Sequence, residues 1–465
     1  MSRRPIYMRN RSSSNILIIA LLAVLVFVVY GYSNNFSMQS LVENSELNGK
    51  NFSGVVEEIE SPKSKIKSYF MQQNEVPIVA ISFIFANTGS AYDEDGKKGM
   101  ASLTASTIKE GTFYKSADEI RDEVGIKGIE ISFGSSKDSI SGSLVAPKEN
   151  LIDAVNLLRD ILSKPKFERK YLEIAKVNMI KALEVEKENP AKELSLANDK
   201  LVFGNHEYAN NPLGNKQDIL EISQDDLKKF VKERFAKDNL FVGVAGDLTK
   251  DDAKYVIEEI FALLPDKSKS KKIDEVVLNF EQPVLKINRK DGQNIVGFTT
   301  LGTCRKCDDF YPLFIANHIF GGAGLNSKLN QKIREKEGLT YGAHSSMILT
   351  DKANLLTVGF STTKDNFDKA VSMFKQEWKK VAQEGFSNKD VEFAKNYLIA
   401  SYNLRFASIL GIADILVMQQ KMELGLDFLN KRNDYVKSVS VEAVNEAAKK
   451  YFTDKMLQAQ IGTFD

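Results

Sequence analysis

The stretch GGAGLNSKLNQKIREKEGLTY, residues 321–341, joins a glycine-rich turn to a short amphipathic segment. Leu325, Leu329 and Ile333 recur at every fourth position, which is the spacing of one buried face of a helix. Gly338 follows at a point where a helix commonly ends in a left-handed residue. The pattern therefore predicts a helix with one apolar stripe, and the rest of the chain is interpreted around it.

The ends of this predicted helix carry residues with more than one interpretation. Asn326 or Ser327 can accept the first free backbone N–H groups. Arg334 falls in the last turn beside the apolar stripe, and Tyr341 opens the β-like run YGAHSSMIL. An arginine there commonly complements the helix dipole, and a tyrosine there commonly packs on a sheet. A guanidinium and a phenol can also converge across the turn on one ligand, so both interpretations stay open.

Length and composition bound the fold class. A chain of 465 residues exceeds the ~250–300 residues at which single cores stop growing, so we expect more than one domain. With 43% hydrophobic and 27% charged residues, the chain has the composition of a globular protein. Its net charge is +1 and its basic residues are dispersed, which is not the pattern of a nucleic-acid-binding protein.

The N-terminal segment 1–33 differs from the rest of the chain. Several arginines precede an uncharged apolar run at 16–32, and such a charge bias keeps the flank cytoplasmic. We predict a cytoplasmic N-terminus and signal anchor at 1–33, a single pass through a bacterial inner membrane, and a periplasmic location for the bulk of the chain. The run is near the ~17-residue short limit for a spanning helix, so a cleaved secretory segment is the alternative. Residues 34–67 are polar and predict a tether.

Internal repeats indicate how the remainder is organised. Three groups of residues recur at offsets of 216 to 219, which predicts two copies of one α+β fold, at 68–265 and 284–465, joined by a linker at 266–283. The alternation of strand pairs with helix pairs predicts a sheet covered on one side. The repeated groups are KENLIDAV at 148–155 and KDNFDKAV at 364–371, then Phe167, Ala175 and Lys176 against Phe386, Ala394 and Lys395, then Ser223, Phe235 and Leu240 against Ser440, Phe452 and Leu457.

The pattern GG-x-G-L-x-S-x-L followed by R-E-K-x-G-L-x-Y resembles the C-terminal-half motif of the insulinase-like (pitrilysin, M16) peptidase family. Residues 203–214 and 230–265 resemble segments of the family's first half. The resemblance implies two homologous α/β-sandwich halves that enclose an unfolded peptide. It also implies that Arg334 and Tyr341 bind a carbonyl of that peptide, while zinc comes from the other half of the enzyme.

The sequence departs from the family at the zinc motif, H-x-x-E-H on a helix. The predicted helix at 97–110 occupies that place, and the motif positions fall on Ser102, Ala105 and Ser106. The third ligand would match Ala182. A serine hydroxyl is a poor zinc ligand and alanine cannot take a proton from water, so we expect no catalytic residue and no cofactor in this chain. Zinc is expected in a partner subunit.

The remaining candidate ligands are few. His206, His318 and His344 have no histidine partner one helical turn away, and we expect structural roles for the first two. Cys304 and Cys307 form a lone C-x-x-C, for which a disulfide is favoured over a metal site in an exported domain. A reactive thiol pair is the alternative.

Two functions of different classes remain. The first is a membrane-anchored, non-catalytic M16 subunit, inactive alone, that binds peptide through Arg334 and Tyr341 and completes the chamber of a zinc-bearing partner. The second is a membrane-anchored scaffold or binding protein that has kept the fold and lost proteolysis. The intact REKEGLTY motif favours the first, because a pure scaffold does not need it.

Overall fold

The structure is a computed structural model in which each half of the chain is built on its own sheet. The predicted signal anchor at 1–33 and most of the predicted tether at 34–67 lie outside the described residues. The described residues are 54–280, 283–290 and 292–464.

Within these ranges, no single helix has both the length and the apolar character to cross a membrane. The bent pair Asn388–Phe406 and Ile409–Lys421, whose helices meet at 113°, meets those criteria only when the two are taken together.

The first half is built on a mixed sheet whose strands are β1 Glu57–Glu60, β2 Lys67–Gln72, β3 Ile78–Ala86, β4 Glu130–Ser135, β5 Ser139–Pro147 and β6 Leu240–Gly246. They lie in the order β1-β2-β6-β3-β5-β4. Strands β2 and β6 are parallel, and the other neighbours are antiparallel. Along β3, Val79, Ile81, Phe83 and Phe85 point into the core of this half, because successive side chains alternate between the faces of a strand.

This sheet begins earlier than the sequence predicts. Strand β1 lies inside the segment expected to be a tether, 34–67, and pairs antiparallel with β2. Val56, Ile59 and Ile66 are buried there. Their burial gives an otherwise polar edge strand an apolar face, and three spaced apolar residues are too weak a pattern to predict a strand.

The second half repeats this arrangement in the strands β7 Val284–Asn288, β8 Asn294–Leu301, β9 Ala343–Leu349, β10 Asn354–Thr362 and β11 Leu457–Gly462. Their order is β7-β11-β8-β10-β9, with β7 and β11 parallel and the other neighbours antiparallel. Among the described residues, this sheet matches the first in order and direction, apart from a counterpart of β1. The predicted pair of α+β halves is confirmed.

Helices follow the strands in both halves. Those of the first half are α1 Met100–Thr107, α2 Ala117–Lys127, α3 Leu151–Ser163, α4 Arg169–Glu188, α5 Pro190–Phe203, α6 Lys216–Glu221, α7 Gln224–Arg234 and α8 Lys250–Phe261. Those of the second half are α9 Phe310–Asn317, α10 Lys328–Asn330, α11 Phe367–Glu384, α12 Asn388–Tyr402, α13 Ile409–Lys421, α14 Phe428–Lys437 and α15 Val441–Tyr451.

Each half also places one helix on the sheet of the other half. Helix α13 packs across β6, β3 and β2, with Ala413 and Leu416 against Ala245. Helix α5 packs across β11, with Leu194 against Ile461. The prediction of a sheet covered on one side is therefore wrong for both sheets. The apolar residues on the second face of each sheet are buried by a helix that is distant in sequence.

The predicted repeats correspond in detail at the long helices α4 and α12. Lys176 and Lys395, which the repeat pairs with each other, are both buried. The ammonium of Lys176 donates to the carbonyl of Leu220 at 3.1 Å, and that of Lys395 donates to the carbonyl of Val439 at 3.1 Å. The same buried hydrogen bond is thus made in each half.

One predicted match is out of register. Leu240 belongs to the core of the first half, whereas Leu457 lies on the opposite face of its sheet, in the cluster with Val202 on α5. The strand ends correspond through Gly246 and Gly462, which close β6 and β11 and both have positive φ. A shift of one residue moves a side chain to the other face of a strand. The predicted pairing of Leu240 with Leu457 therefore joins residues that lie on opposite faces of their sheets.

Candidate functional site

The short helix of segment 321–341 is capped and buried much as its sequence predicts. The side chain of Ser327 accepts a hydrogen bond from the backbone N–H of Asn330 at 3.4 Å. Helix α10 continues as the π-helical turn Gln331–Lys336. Leu329 and Ile333 are fully buried, so this segment is fixed to the core of the second half.

The expectation that Leu325 shares this buried face is wrong. Its side chain is 54% exposed, because it lies in the separate 3₁₀ turn Gly324–Asn326. Ser327 then adopts an extended backbone, and the helix begins only after it. At the other end, Gly338 has a φ of 63°, as the left-handed end of the helix requires.

Asn330 holds the glycine-rich turn and the following strand together. Its Nδ2 donates to the carbonyls of Gly324 at 2.8 Å and Ala343 at 2.5 Å. Its Oδ1 accepts from the backbone N–H of Ala343 at 2.8 Å. The side chain is almost fully buried, so these bonds fix the geometry on both sides of the helix. Sequence reasoning missed this residue. The available signal was a polar asparagine directly beside Leu329, on the predicted buried side of the helix.

Arg334 and Tyr341 lie in this fixed frame. Arg334 is half-buried on the π-helical turn, and Tyr341 is 80% exposed. Tyr341 precedes β9, which begins at Ala343, so the prediction that it opens the strand is wrong. Among the described residues, neither side chain forms a hydrogen bond or an ion pair. At 80% exposure, Tyr341 is not a buried packing residue of the sheet, and the donors of both side chains have no protein acceptor among the described residues.

The positions that the family resemblance assigns to zinc lie in the first half and make hydrogen bonds within the protein. Ser102 on α1 donates to the carbonyl of Pro212 at 2.7 Å, and its hydroxyl lies 3.1 Å from that of Ser135. The hydroxyl of Ser106 donates to the carbonyl of Leu103 at 3.0 Å.

Two methyl side chains complete this degenerate site. Ala105 is buried on α1, and Ala182 lies on α4, which packs against α1. Within the described residues, no three His, Cys, Asp or Glu side chains are placed to hold a metal ion. The hydroxyl and methyl side chains at the zinc positions do not fit zinc, whose protein ligands are Cys, His, Asp and Glu.

Two family descriptions match this chain. Insulinase (Peptidase family M16) matches residues 70–215, and Peptidase M16 inactive domain matches residues 221–398. The two matches cover most of both halves, including the segment that carries Arg334. This chain belongs to the M16 family.

Several M16 relatives are similar over most of their length. The non-peptidase homolog YmxG of Helicobacter pylori is 24% identical over 397 residues, which cover 83% of this chain and 89% of the relative. The uncharacterized zinc protease YmxG of Bacillus subtilis is 22% identical over 385 residues, or 81% and 91%. The crystal structure of a peptidase M16 inactive domain from Pseudomonas fluorescens matches with a TM-score of 0.83 and 26% identity, covering 88% of this chain and 98% of that chain. The comparisons support a non-catalytic M16-fold protein.

In this M16 chain, the helix at the degenerate zinc position begins beside a buried carboxyl group. Asp93 accepts hydrogen bonds from the backbone N–H groups of Gly99 at 2.9 Å and Ala101 at 3.0 Å. Burial raises the pKa of Asp93 to about 7, and the two hydrogen bonds oppose the rise only in part. The group therefore titrates close to neutral pH.

The first helix of the second half, α9, begins beside a carboxyl group in the opposite state. Burial tends to raise the pKa of Asp309, but hydrogen bonds donated by Lys450, Thr303 and Tyr451 outweigh that effect and lower the pKa to about 2. Lys450 Nζ lies 2.6 Å from the carboxylate. Asp309 is thus ionised throughout the neutral range.

His206, His318 and the two cysteines all contact other groups of the protein. Burial lowers the pKa of His318 to about 4, and its ring stacks on Tyr397 with centroids 5.0 Å apart. His206 lies 2.9 Å from the carbonyl oxygen of Asp274 through Nε2. Cys304 and Cys307 are joined as a disulfide, which agrees with the favoured interpretation of the C-x-x-C.

Proposed function

We propose that this chain is a membrane-anchored, non-catalytic M16 subunit that binds unfolded peptide and completes the chamber of a zinc-bearing partner. The observation that carries the proposal is the contrast between the donors of Arg334 and Tyr341, which have no partner among the described residues, and the satisfied hydroxyls of Ser102 and Ser106. The segment retained for a ligand is the one that the family uses to hold peptide. The positions that the family uses for zinc carry serine and alanine.

The chemistry of the two donors suits a backbone carbonyl. A guanidinium N–H and a phenol O–H both donate hydrogen bonds, and neither reads the side chain of the bound peptide. Leu329 and Ile333 fix the turn that carries Arg334, and Asn330 fixes the start of the strand that follows Tyr341. The two donors can therefore orient the carbonyl and stabilise the negative charge that develops on its oxygen. The partner's zinc would supply the activated water.

The location follows from the arginine-flanked apolar run at 16–32. With the N-terminus in the cytoplasm and the remainder in the periplasm of a bacterium, the chamber would take unfolded peptides on the periplasmic side of the inner membrane. The disulfide between Cys304 and Cys307 fits an oxidising compartment.

The test begins with the tagged full chain recovered from its own cells under mild conditions, followed by identification of any co-purifying chain that carries H-x-x-E-H. Unfolded peptide is then offered to this chain, to the partner and to both together, with and without a zinc chelator. We expect chelator-sensitive hydrolysis only from the pair.

Two outcomes would overturn the proposal. Chelator-sensitive hydrolysis by this chain alone, with about one bound zinc per chain, would show a metal site that the described residues lack. Full activity of the partner without this chain would leave Arg334 and Tyr341 without a role in peptide hydrolysis, and the non-proteolytic scaffold would then replace the subunit.

A further inference from the structure

A second site lies away from Arg334 and Tyr341. A cavity of about 660 Å³ lies in the second half, between helix α13 and the helices α9, α12 and α14. Helix α13 is the one that this half places on the first sheet. Its walls are mainly apolar and include Phe310 and Phe314 of α9, Ile415 and Met418 of α13, and Phe428 of α14. Its volume is within the ~300–1,000 Å³ of cavities that hold small organic ligands.

Three arginines line this apolar cavity. Arg432 is more than nine-tenths buried and donates to the carbonyl of Leu398 at 2.8 Å. The guanidinium of Arg305 lies 4.1 Å from the ring centre of Phe310 and donates to the hydroxyl of Tyr311 at 3.1 Å. Arg405, the third, is more exposed at the mouth.

These arginines have no acidic partner among the described residues, since none of the ion pairs found there includes Arg305, Arg405 or Arg432. Asp414 also lines the cavity, but it accepts a hydrogen bond from Ser82 of β3 at 2.7 Å. Burial lowers the pKa of Arg432, and the neighbouring charges of Arg405 and Arg305 lower it further. Buried cations are usually paired, and the three arginines outnumber Asp414, the one carboxylate among the residues that line the cavity, so the cluster leaves a site for an anion.

We propose that this cavity binds an anionic amphiphile, a small molecule with one carboxylate or phosphate head group on an apolar body. The planar guanidinium groups of Arg305, Arg405 and Arg432 match either head group, because both accept paired N–H donors. The aromatic and aliphatic walls bury the apolar body. The site is independent of the peptide donors, since Arg334 and Tyr341 do not line the cavity.

The test is titration calorimetry on the purified full chain with decanoate and with decyl phosphate. Decyltrimethylammonium, which has the same tail and the opposite charge, is the first control. Acetate and inorganic phosphate, which have the head group without the tail, are the second. We expect one decanoate or decyl phosphate per chain and no saturable binding of the controls. The tighter of the two decyl ligands then identifies the head group.

Three variants locate the binding. Arg405→Gln removes a cation at the mouth, where the fold does not depend on it, and should weaken binding about tenfold or more, since a hydrogen bond to a charged group is worth ~1.5–3 kcal/mol. Met418→Glu places a carboxylate among the arginines and should abolish binding. Arg169→Gln makes the same charge change on α4, outside the cavity, and should leave binding unchanged.

The result that overturns the proposal is equally specific. Saturable binding of decyltrimethylammonium as tight as that of decanoate would show an apolar cavity without anion selectivity. Equal weakening by Arg169→Gln and Arg405→Gln would show only a dependence on net charge. If neither decanoate nor decyl phosphate binds with one molecule per chain, the cavity is not the proposed site.

Discussion

The two halves share one fold, but the first-half positions that the family uses for zinc differ from the second-half positions that it uses for peptide. In the first half, the hydroxyls of Ser102 and Ser106 are satisfied by neighbouring protein groups. In the second half, Arg334 and Tyr341 form no hydrogen bond or ion pair with the described residues. The hydroxyls at the family's zinc positions are thus engaged within the protein, although the Ser106 side chain is itself exposed. Arg334 and Tyr341 keep donors without a protein partner among the described residues, which supports the proposal that they bind a ligand.

The largest expected effect tests this contrast directly. In the assembled pair with a zinc-bearing partner, Arg334→Ala or Tyr341→Phe should lower turnover of unfolded peptide by ~10²–10³, the usual result of removing one donor to a developing oxyanion. Ser102→Ala is the matched control in the first half and should leave turnover unchanged. Thermal unfolding and co-purification should be nearly unaffected by the two second-half variants, because Leu329 and Ile333, and not these two side chains, form the buried face of the segment.

If Ser102→Ala slows turnover as much as Arg334→Ala does, the zinc position of the first half still takes part in turnover and the contrast fails. If all three variants turn over peptide at the wild-type rate, the donors do not hold substrate.

The next effect concerns pH, and it sets Asp93 against Asp309. The folded-state pKa of Asp93 is raised to about 7, so its contribution to stability is fully present below about pH 4 and is lost as pH rises through 7. That of Asp309 is lowered to about 2, so its contribution is present above about pH 4 and is lost as pH falls through 2. The contributions of these two carboxyl groups to stability therefore change with pH in opposite directions.

The measurement is the difference in unfolding free energy between wild type and each asparagine variant. For Asp93→Asn, the advantage of wild type should fall by a few kcal/mol between pH 4 and 7, because each unit of pKa shift is worth ~1.4 kcal/mol. For Asp309→Asn, the difference should stay constant over that range and change only toward pH 2. A constant difference for Asp93→Asn would mean that this carboxyl group is ionised at its ordinary pKa.

Sequence reasoning reached the features that depend on local chemistry. The repeated lysines Lys176 and Lys395, the cap at Ser327, the left-handed Gly338 and the bonded Cys304 and Cys307 each follow from a short pattern. The structure keeps all of them. The two halves and the family could also be predicted, because they too follow from short sequence patterns.

What the sequence did not predict depends on residues that are distant along the chain. Nothing near α13 shows that it covers β6, because that contact joins Gly243 of the first half to Ala413 of the second. The apolar spacing placed Leu325 on a buried face, but an extended residue at Ser327 separates it from the helix. Asn330 was overlooked because its value lies in bonds to both flanking segments.

A smaller effect compares the two exchanged helices. Helix α13 lies so close to β6 that a methyl group at Gly243 would clash with the carbonyl oxygen of Ala413 and lie 2.6 Å from the backbone nitrogen of Val417. The corresponding residue under α5 is Ala459, which already carries a methyl group. Gly243→Ala should therefore destabilise the chain by ~1–3 kcal/mol through overpacking.

Chemical denaturation of wild type, Gly243→Ala and Ala459→Gly checks this difference. Ala459→Gly creates no clash and should cost only ~0.5–1 kcal/mol, the usual effect of glycine within a strand. Equal losses for the two variants would show that the two helices approach their sheets equally closely.

The smallest effect compares two serine caps, one in each half. Ser116 caps α2 in an exposed capping box with Glu119, whereas Ser327 is fully buried and also accepts a hydrogen bond from Nδ2 of Asn330 at 3.1 Å. Loss of a cap costs ~1 kcal/mol, so Ser116→Ala should approach that value and Ser327→Ala should exceed it, because buried donors then lose their acceptor. Denaturant unfolding gives both numbers.

The two caps should also differ in their effect on the peptide donors. Ser327→Ala should weaken peptide binding by the assembled pair, since Arg334 depends on the helix that Ser327 begins, while Ser116→Ala should not. Equal stability losses together with unchanged peptide binding would show that the segment holding Arg334 keeps its geometry without the buried cap.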